Sequence, residues 1–161
     1  MNFSWLCRMV TVACLTLAVH AAPTAVLGQE IAATRKIGVG IGSGTIGNLG
    51  LTAKYYLAST MAVQAFVGRY GVREMAISVD AVIEPIEITK IPGGRLWAGG
   101  GAGVVTWGSA GSRHIGLSAV VQSGYHFSGA PVELVLDWRP YYDLDGDLEL
   151  GALSGAVRWY F

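Results

Sequence analysis

The chain has 161 residues, a formal net charge of zero and only 14% charged side chains, whereas about a quarter is usual in soluble domains. The lack of a basic excess argues against nucleic-acid binding, and the lack of an acidic run argues against disorder. Although 52% of the residues are hydrophobic, no apolar run beyond the N-terminus reaches the roughly 18 residues of a membrane helix, which excludes a helical membrane bundle.

The N-terminus has the features of a secretory signal. Arg8 gives a weakly positive start, residues 9–22 are apolar, and small residues follow. We predict that residues 1–28 are a cleavable signal peptide, followed by a short segment, 29–36, and one domain, 37–161. Cleavage after Ala21 or Ala22 is an alternative to cleavage after Gly28.

Both cysteines, Cys7 and Cys14, lie within the predicted signal. The mature chain would therefore have no disulfide and no thiol chemistry. A lipoprotein acylated on Cys14 is an alternative, but residues 11–13 (Thr-Val-Ala) are a poor small-residue box before that cysteine.

Strand-like runs separated by turn signals follow, and in each of them apolar and polar residues alternate with period 2. The fourth is the cleanest, with Ile77, Val79 and Ala81 alternating with Ser78 and Asp80. The eight predicted strands are 37–44, 49–57, 60–68, 74–84, 95–106, 114–127, 132–140 and 150–161. Their lengths are close to the roughly 9–11 residues of a tilted membrane strand, and their number is even, as in bacterial barrels. The pattern predicts an all-β, eight-stranded, antiparallel up-and-down transmembrane β-barrel.

The connections between these runs predict an orientation. With both termini in the periplasm, the outer loops are predicted at 44–48, 69–73, 107–113 and 141–149. The periplasmic turns are predicted at 58–59, 85–94 and 128–131. The turn at 85–94 is long for that side, and all the outer loops are short.

One face of the predicted strands is apolar, and the other collects most of the charge. The charged side chains predicted to form a polar network in the lumen are Lys54, Glu74, Asp80, Glu84, Arg95, Glu133, Asp137, Arg139 and Arg158. Gln64, Gln122, His114 and His126 share that face. Because isolated buried ions cost several kcal/mol, the first interpretation is a salt-bridged plug. A narrow conduit for ions or small solutes is the alternative. A soluble, lipocalin-like carrier of a lipid-like ligand would have the two faces reversed.

Two further motifs are weighed for ligand binding. Residues 42–47 match G-x-G-x-x-G, but a strand follows instead of the helix that a dinucleotide site needs. Residues 143–149 resemble a calcium loop, yet Leu148 and Ser154 stand where an EF-hand needs Gly and Glu. We interpret this acidic run as a polar hairpin tip, with weak divalent-ion binding at the cell surface as the alternative. No cofactor site or metal site is predicted.

His126, Ser128 and Glu133 are the one set that looks catalytic. They resemble the His-x-Ser pair and Glu of the outer-membrane lipid A deacylases, in which a base activates a serine. The remainder of that family's pattern is missing, since Gly129, Ala130 and Pro131 follow the serine. The pair also falls at a predicted periplasmic turn. No catalytic residue is therefore predicted, and a lipid A-modifying enzyme is kept as an alternative.

Three segments carry a family resemblance: Gly-Leu-Thr-Ala-Lys-Tyr-Tyr at 50–56, Ser-Gly-Ala-Pro-Val-Glu-Leu at 128–134, and Arg-Trp-Tyr-Phe at 158–161. With them, the chain from about residue 35 resembles the small eight-stranded outer-membrane barrels of the OmpA/OmpX type and uncharacterised small-barrel proteins. Val157, Trp159 and Phe161 resemble the C-terminal signal by which such barrels are recognised and inserted.

The resemblance implies a location in the outer membrane of a Gram-negative bacterium. The implied partners are membrane lipid, lipopolysaccharide and the barrel-assembly machinery, which would read the C-terminal strand. A monomer is favoured, and no nucleic-acid partner is expected. We expect a structural or surface-interaction role without catalysis. The alternatives are the narrow channel, the lipid A-modifying enzyme and the soluble periplasmic lipid-binding barrel.

Overall fold

The computed structural model describes residues 35–70, 74–109 and 111–161. The predicted signal peptide, 1–28, lies outside these residues. Among them, no helix is long and apolar enough to cross a membrane. The strands are β1 (Ile37–Gly44), β2 (Leu49–Tyr56), β3 (Met61–Tyr70), β4 (Glu74–Ile91), β5 (Gly94–Ser109), β6 (Ser112–Phe127), β7 (Val132–Trp138), β8 (Tyr141–Asp143), β9 (Leu148–Glu149) and β10 (Leu153–Tyr160).

Eight of these strands close into an antiparallel barrel in the order β1, β2, β3, β4, β5, β6, β7, β10. The ring closes where β10 pairs with β1, with Val39 opposite Trp159 and Ile41 opposite Val157. The Phe161 N–H also donates to the Ile37 carbonyl at 2.9 Å. The all-β fold and the closed eight-stranded barrel predicted from period-2 alternation are confirmed.

The predicted long turn at 85–94 is wrong. β4 continues to Ile91 and β5 begins at Gly94, so that the turn is only Pro92 and Gly93, with Gly93 at φ +95°. The two prolines suggested a loop. However, the register between β4 and β5 shifts between Ile83 and Ile86, which places Pro85 in a bulge, where a strand tolerates a residue without an N–H.

The predicted outer loops at 107–113 and 141–149 are also shorter than expected. β5 and β6 continue to a turn between Ser109 and Ser112. The second segment folds into the small hairpin β8–β9, and β8 pairs with β6 so that Asp143 lies opposite Gly116. We call this end of the barrel the hairpin end. The other end, where β1 begins and β10 finishes, is the termini end.

The two faces of the sheet differ sharply in chemistry. Large apolar side chains project outward along every strand of the ring, as illustrated by Leu51, Val79 and Leu136 at 67%, 51% and 61% exposure. The buried side chains facing the lumen include Lys54, Asp80, Glu133, Asp137 and Arg158. The barrel therefore has an apolar exterior and a polar interior, the opposite of a lipocalin-like arrangement.

Glycines occupy lumen-facing positions on β1 and β5, which are four strands apart and so lie on opposite walls of the ring. A Cβ at Gly40 would collide with the Val157 carbonyl oxygen, and one at Gly101 with the Ala81 carbonyl oxygen. These positions let neighbouring backbones come closer than any side chain would allow. At two other lumen-facing glycines the space is taken by a side chain of another strand, Tyr160 beside Gly38 and Asp80 beside Gly103.

Candidate functional site: the charged lumen

Glu133, on β7, is the centre of the lumen network and is completely buried. Its Oε1 accepts a hydrogen bond from Lys54 Nζ at 2.9 Å. Its Oε2 accepts from Arg158 Nη1 at 3.0 Å and from the Tyr160 hydroxyl at 2.7 Å. Arg158 stands directly opposite Glu133 in the β7–β10 register, whereas Lys54 reaches it from β2. Hydrogen bonds to charged groups are the stronger class, so this carboxylate is fully engaged.

Lys54 joins two carboxylates. Its ammonium group pairs with Glu84 on β4 as well as with Glu133, and the Tyr56 hydroxyl donates to Glu84 Oε2 at 2.7 Å. Lys54 Nζ also lies 4.6 Å from the centroid of the Trp97 ring, within the range of a cation–π interaction. The ammonium group is thereby compensated on several sides although it is removed from solvent.

Arg158 extends the network toward the hairpin end. Its Nε donates to Thr52 Oγ1 at 3.1 Å, and its Nη2 donates to Gln64 Oε1 at 3.2 Å. The Gln64 amide in turn donates to Asp80 Oδ2 at 3.2 Å. The two ends of the lumen are therefore linked by one continuous set of contacts.

Arg139 completes the network at the hairpin end. Its Nη1 donates to Asp80 Oδ1 at 2.6 Å, and its Nη2 lies 3.7 Å from Asp137 Oδ2. The Ser154 hydroxyl donates to Asp137 Oδ1. These contacts bring together residues of β4, β7 and β10 and the segment after β7.

Two of the predicted network residues lie away from this set. Glu74 is half-buried at the hairpin end of β4, opposite Tyr70. Arg95 lies near the termini end of β5, where its Nη1 is 3.9 Å from Glu87 Oε2. Both lie on the inward-facing side of their strands, at different heights in the barrel.

Sequence reasoning missed the hydroxyl groups of the network: Thr52, Tyr56, Ser154 and Tyr160. All four lie on the inward-facing side of strands whose alternation was already recognised. The same periodicity that pointed to the charges could therefore have identified them as partners.

The three residues of the set resembling a catalytic site differ in exposure and in partners. His126 is buried, its Nε2 lies 3.5 Å from Glu133 Oε1, and its ring stacks on Trp97 at 5.7 Å. Ser128 is exposed in the turn after β6. Glu133 also accepts hydrogen bonds from Lys54, Arg158 and Tyr160. Although Glu84, His126 and Glu133 place possible metal-ligand atoms within 4.8 Å of one another, the Lys54 ammonium already bonds to both carboxylates.

An apolar cluster lies toward each end of the barrel. At the termini end, Tyr56, Ala62, Val82 and Tyr160 pack together. At the hairpin end, Ala76, Val105 and Trp107 pack with Ile46, Phe66 and Tyr141. A cavity of about 40 Å³, which is room for about three water molecules, lies in the lumen toward the hairpin end. Thr52, Gln64, Asp80, Arg139 and Arg158 are among the residues lining it.

Comparison with known proteins gives no match to a protein-family model, to a curated protein or to a solved structure.

Proposed function

We propose that this protein is an integral outer-membrane β-barrel with a structural or surface-interaction role, and that its lumen is a closed, ion-paired plug without catalytic activity. One observation carries the proposal: the closed ring has an apolar exterior and a buried, internally paired charged interior.

The exterior supports the membrane part of the proposal. In water, large contiguous apolar patches are unfavourable and mark interaction surfaces. A lipid bilayer is the solvent that suits an outward apolar band around a closed barrel, because closure pairs every strand and leaves no backbone edge in lipid. Outward aromatic residues such as Trp138 and Trp159, which are 43% and 48% exposed, suit the interfacial girdles of such barrels.

The last strand, β10, supports the barrel-assembly machinery as the partner that we propose. Val157, Trp159 and Phe161 lie on the outer face and are 45%, 48% and 70% exposed. An assembly factor that reads alternate outward side chains would find all three on one surface. Lipid and lipopolysaccharide would contact the same outer face after insertion.

The interior supports a plug over a conduit. Lys54 and Arg158 both donate to Glu133 inside the lumen, and an apolar cluster lies toward each end. Water or ions passing through would have to displace several charge-assisted hydrogen bonds, each of which is costly to leave unmade.

The decisive experiment is cell fractionation followed by a denaturing gel of boiled and unboiled samples. We expect the protein in the outer-membrane fraction, with a mobility that changes on boiling because a closed barrel resists detergent until it is heated. Recovery in the soluble periplasmic fraction would overturn the membrane proposal. A membrane-fraction band whose mobility is the same in both samples would overturn the closed-barrel part.

A further inference from the structure

A second cluster of chemically active side chains lies at the hairpin end, outside the lumen network. The sequence pattern placed His114 among the lumen residues and interpreted residues 143–149 as a polar tip. Because β8 pairs with β6, Asp143 stands opposite Gly116, two residues from His114 on the same face. The turn after β8 then brings Asp145 to the same place.

Three donor atoms converge there. His114 Nδ1 lies 3.2 Å from Asp143 Oδ2 and 3.1 Å from Asp145 Oδ2. A ligand atom from each of the three residues lies within 4.8 Å of the others. The three side chains come from two different parts of the chain, which are joined by the pairing of β6 with β8.

Their neighbours hold the ligands in place. The His114 ring stacks on Trp107 with 5.5 Å between centroids and 14° between planes, and Trp107 packs edge-on against Tyr141 at 4.9 Å. The Asp143 side chain is only 9% exposed, and its Oδ1 accepts a hydrogen bond from the Asp145 N–H at 3.1 Å. This bond leaves Oδ2 directed at His114. Fixed partners of this kind orient metal-binding residues in proteins.

We infer that His114, Asp143 and Asp145 form a binding site for a divalent first-row transition metal ion, for which Zn²⁺ is the suitable probe. Zinc binds imidazole nitrogen and carboxylate oxygen at about 2.0–2.2 Å, so its tetrahedral ligands stand about 3.3–3.6 Å apart. The separations of 3.1 and 3.2 Å from His114 Nδ1 are within a few tenths of an ångström of this spacing.

The donor set also indicates the class of ion. Imidazole favours zinc, copper, nickel and iron, whereas calcium and magnesium prefer oxygen ligands alone. Three protein ligands leave a fourth position for water. The Asp145 and His114 side chains are 73% and 41% exposed, so an ion can enter from solvent. The inference does not depend on the proposed membrane location.

The test is isothermal titration of ZnCl₂ into the purified whole protein, from whichever cell fraction contains it. We expect saturable binding of one equivalent. His114→Phe keeps an aromatic ring against Trp107 but removes the nitrogen ligand, and Asp143→Asn keeps the acceptor for the Asp145 N–H. Each should weaken binding at least tenfold. Asp147→Asn, a change of the same type in the same hairpin, is the matched control and should bind as the unchanged protein does.

Circular dichroism of each variant establishes that it is folded before titration. Equal zinc affinity in His114→Phe and the unchanged protein would overturn the site, as would the absence of saturable binding in the unchanged protein. In that case the three side chains form an ion-paired cluster only. Displacement of zinc by equimolar Ca²⁺ or Mg²⁺ would overturn the assignment to a transition metal.

Discussion

Glu133 on β7 and Lys54 on β2 form an ion pair across the lumen, with 2.9 Å between Oε1 and Nζ and no exposed surface on either side chain. β10 and β1 separate the two strands around the ring, so the pair spans part of the barrel interior. It joins two walls that no backbone hydrogen bond connects.

Replacing the central carboxylate should therefore be costly. Glu133→Gln leaves Arg158 without its carboxylate partner and leaves Lys54 with Glu84 alone, and breaking a buried pair in this way typically costs about 3–5 kcal/mol. We expect a large fall in the urea midpoint for unfolding of the detergent-solubilised barrel. Glu149→Gln is the matched control, because Glu149 is exposed and the amide retains an acceptor for the Gly151 N–H. Equal midpoints for the two variants would contradict the assigned role of Glu133.

The stability of the barrel should be sensitive to a methyl group added at a lumen-facing glycine of β1 or β5. Gly101→Ala places a Cβ against the Ala81 carbonyl oxygen, and overpacking of this kind costs about 1–3 kcal/mol. We expect a lower unfolding midpoint and a weaker heat-modifiable band. In Gly129→Ala the added Cβ meets nothing within 4 Å, so this variant should match the unchanged protein. A loss of stability as large in Gly129→Ala would show that the effect does not come from crowding.

Contact between the outward face and lipid can be tested by introducing one charged side chain there. Val79 pairs with Ala65 in the middle of β3 and is 51% exposed. If this position faces the bilayer midplane, Val79→Arg should cost about 2–4 kcal/mol. The measurement is urea unfolding of the barrel reconstituted in lipid vesicles. Ser112→Arg, at the exposed turn end of β6, is the control and should be nearly neutral. A neutral Val79→Arg would mean that lipid does not contact this face.

The lumen network predicts that the barrel does not conduct ions. In planar bilayers the purified protein should give no stepwise conductance, because ion-paired side chains and buried aromatic residues occupy the lumen. The control is a known porin in the same bilayer preparation. Reproducible single-channel steps from this protein would replace the plug with the narrow conduit.

The contribution of Trp97 to the plug can be measured separately. Its ring lies 4.6 Å from Lys54 Nζ, and a desolvated cation–π interaction can reach about 2 kcal/mol. Trp97→Leu removes the aromatic face and should lower the unfolding midpoint. Trp159→Leu changes an outward tryptophan that is 48% exposed. In detergent this control should be less destabilising, and the opposite order would contradict the inward assignment.

Much of the fold could be predicted because period-2 alternation reports directly which face a residue occupies. That rule alone places Val79 and Asp80 on opposite faces of β4, although it does not say which face is outward. The pattern does not give height within the barrel, which depends on strand tilt and stagger. Glu74 and Arg95 share the lumen face with Glu133, yet they lie near opposite ends.

The same reason explains what the sequence could not show at the hairpin end. His114 has the correct face, but its neighbours depend on β8 pairing with β6, and the run 141–149 carries no strand signal of its own. Pro85 misled in the opposite sense, because a residue that usually ends a strand lies in a bulge within β4. Single proline residues were therefore a less reliable guide to where strands end than the period-2 alternation was to which residues form strands.

The position of Arg158 and Tyr160 on β10 has a consequence for folding. Both bond to Glu133, and β10 is the strand that joins β1 to β7. A sheet in which β10 has not yet paired therefore lacks two hydrogen-bond donors to Glu133 and has unpaired backbone groups on β1 and β7. The pairing of β10 satisfies both at once. Ring closure and neutralisation of the Glu133 charge are coupled. This coupling favours all-or-none assembly over a series of partly formed intermediates.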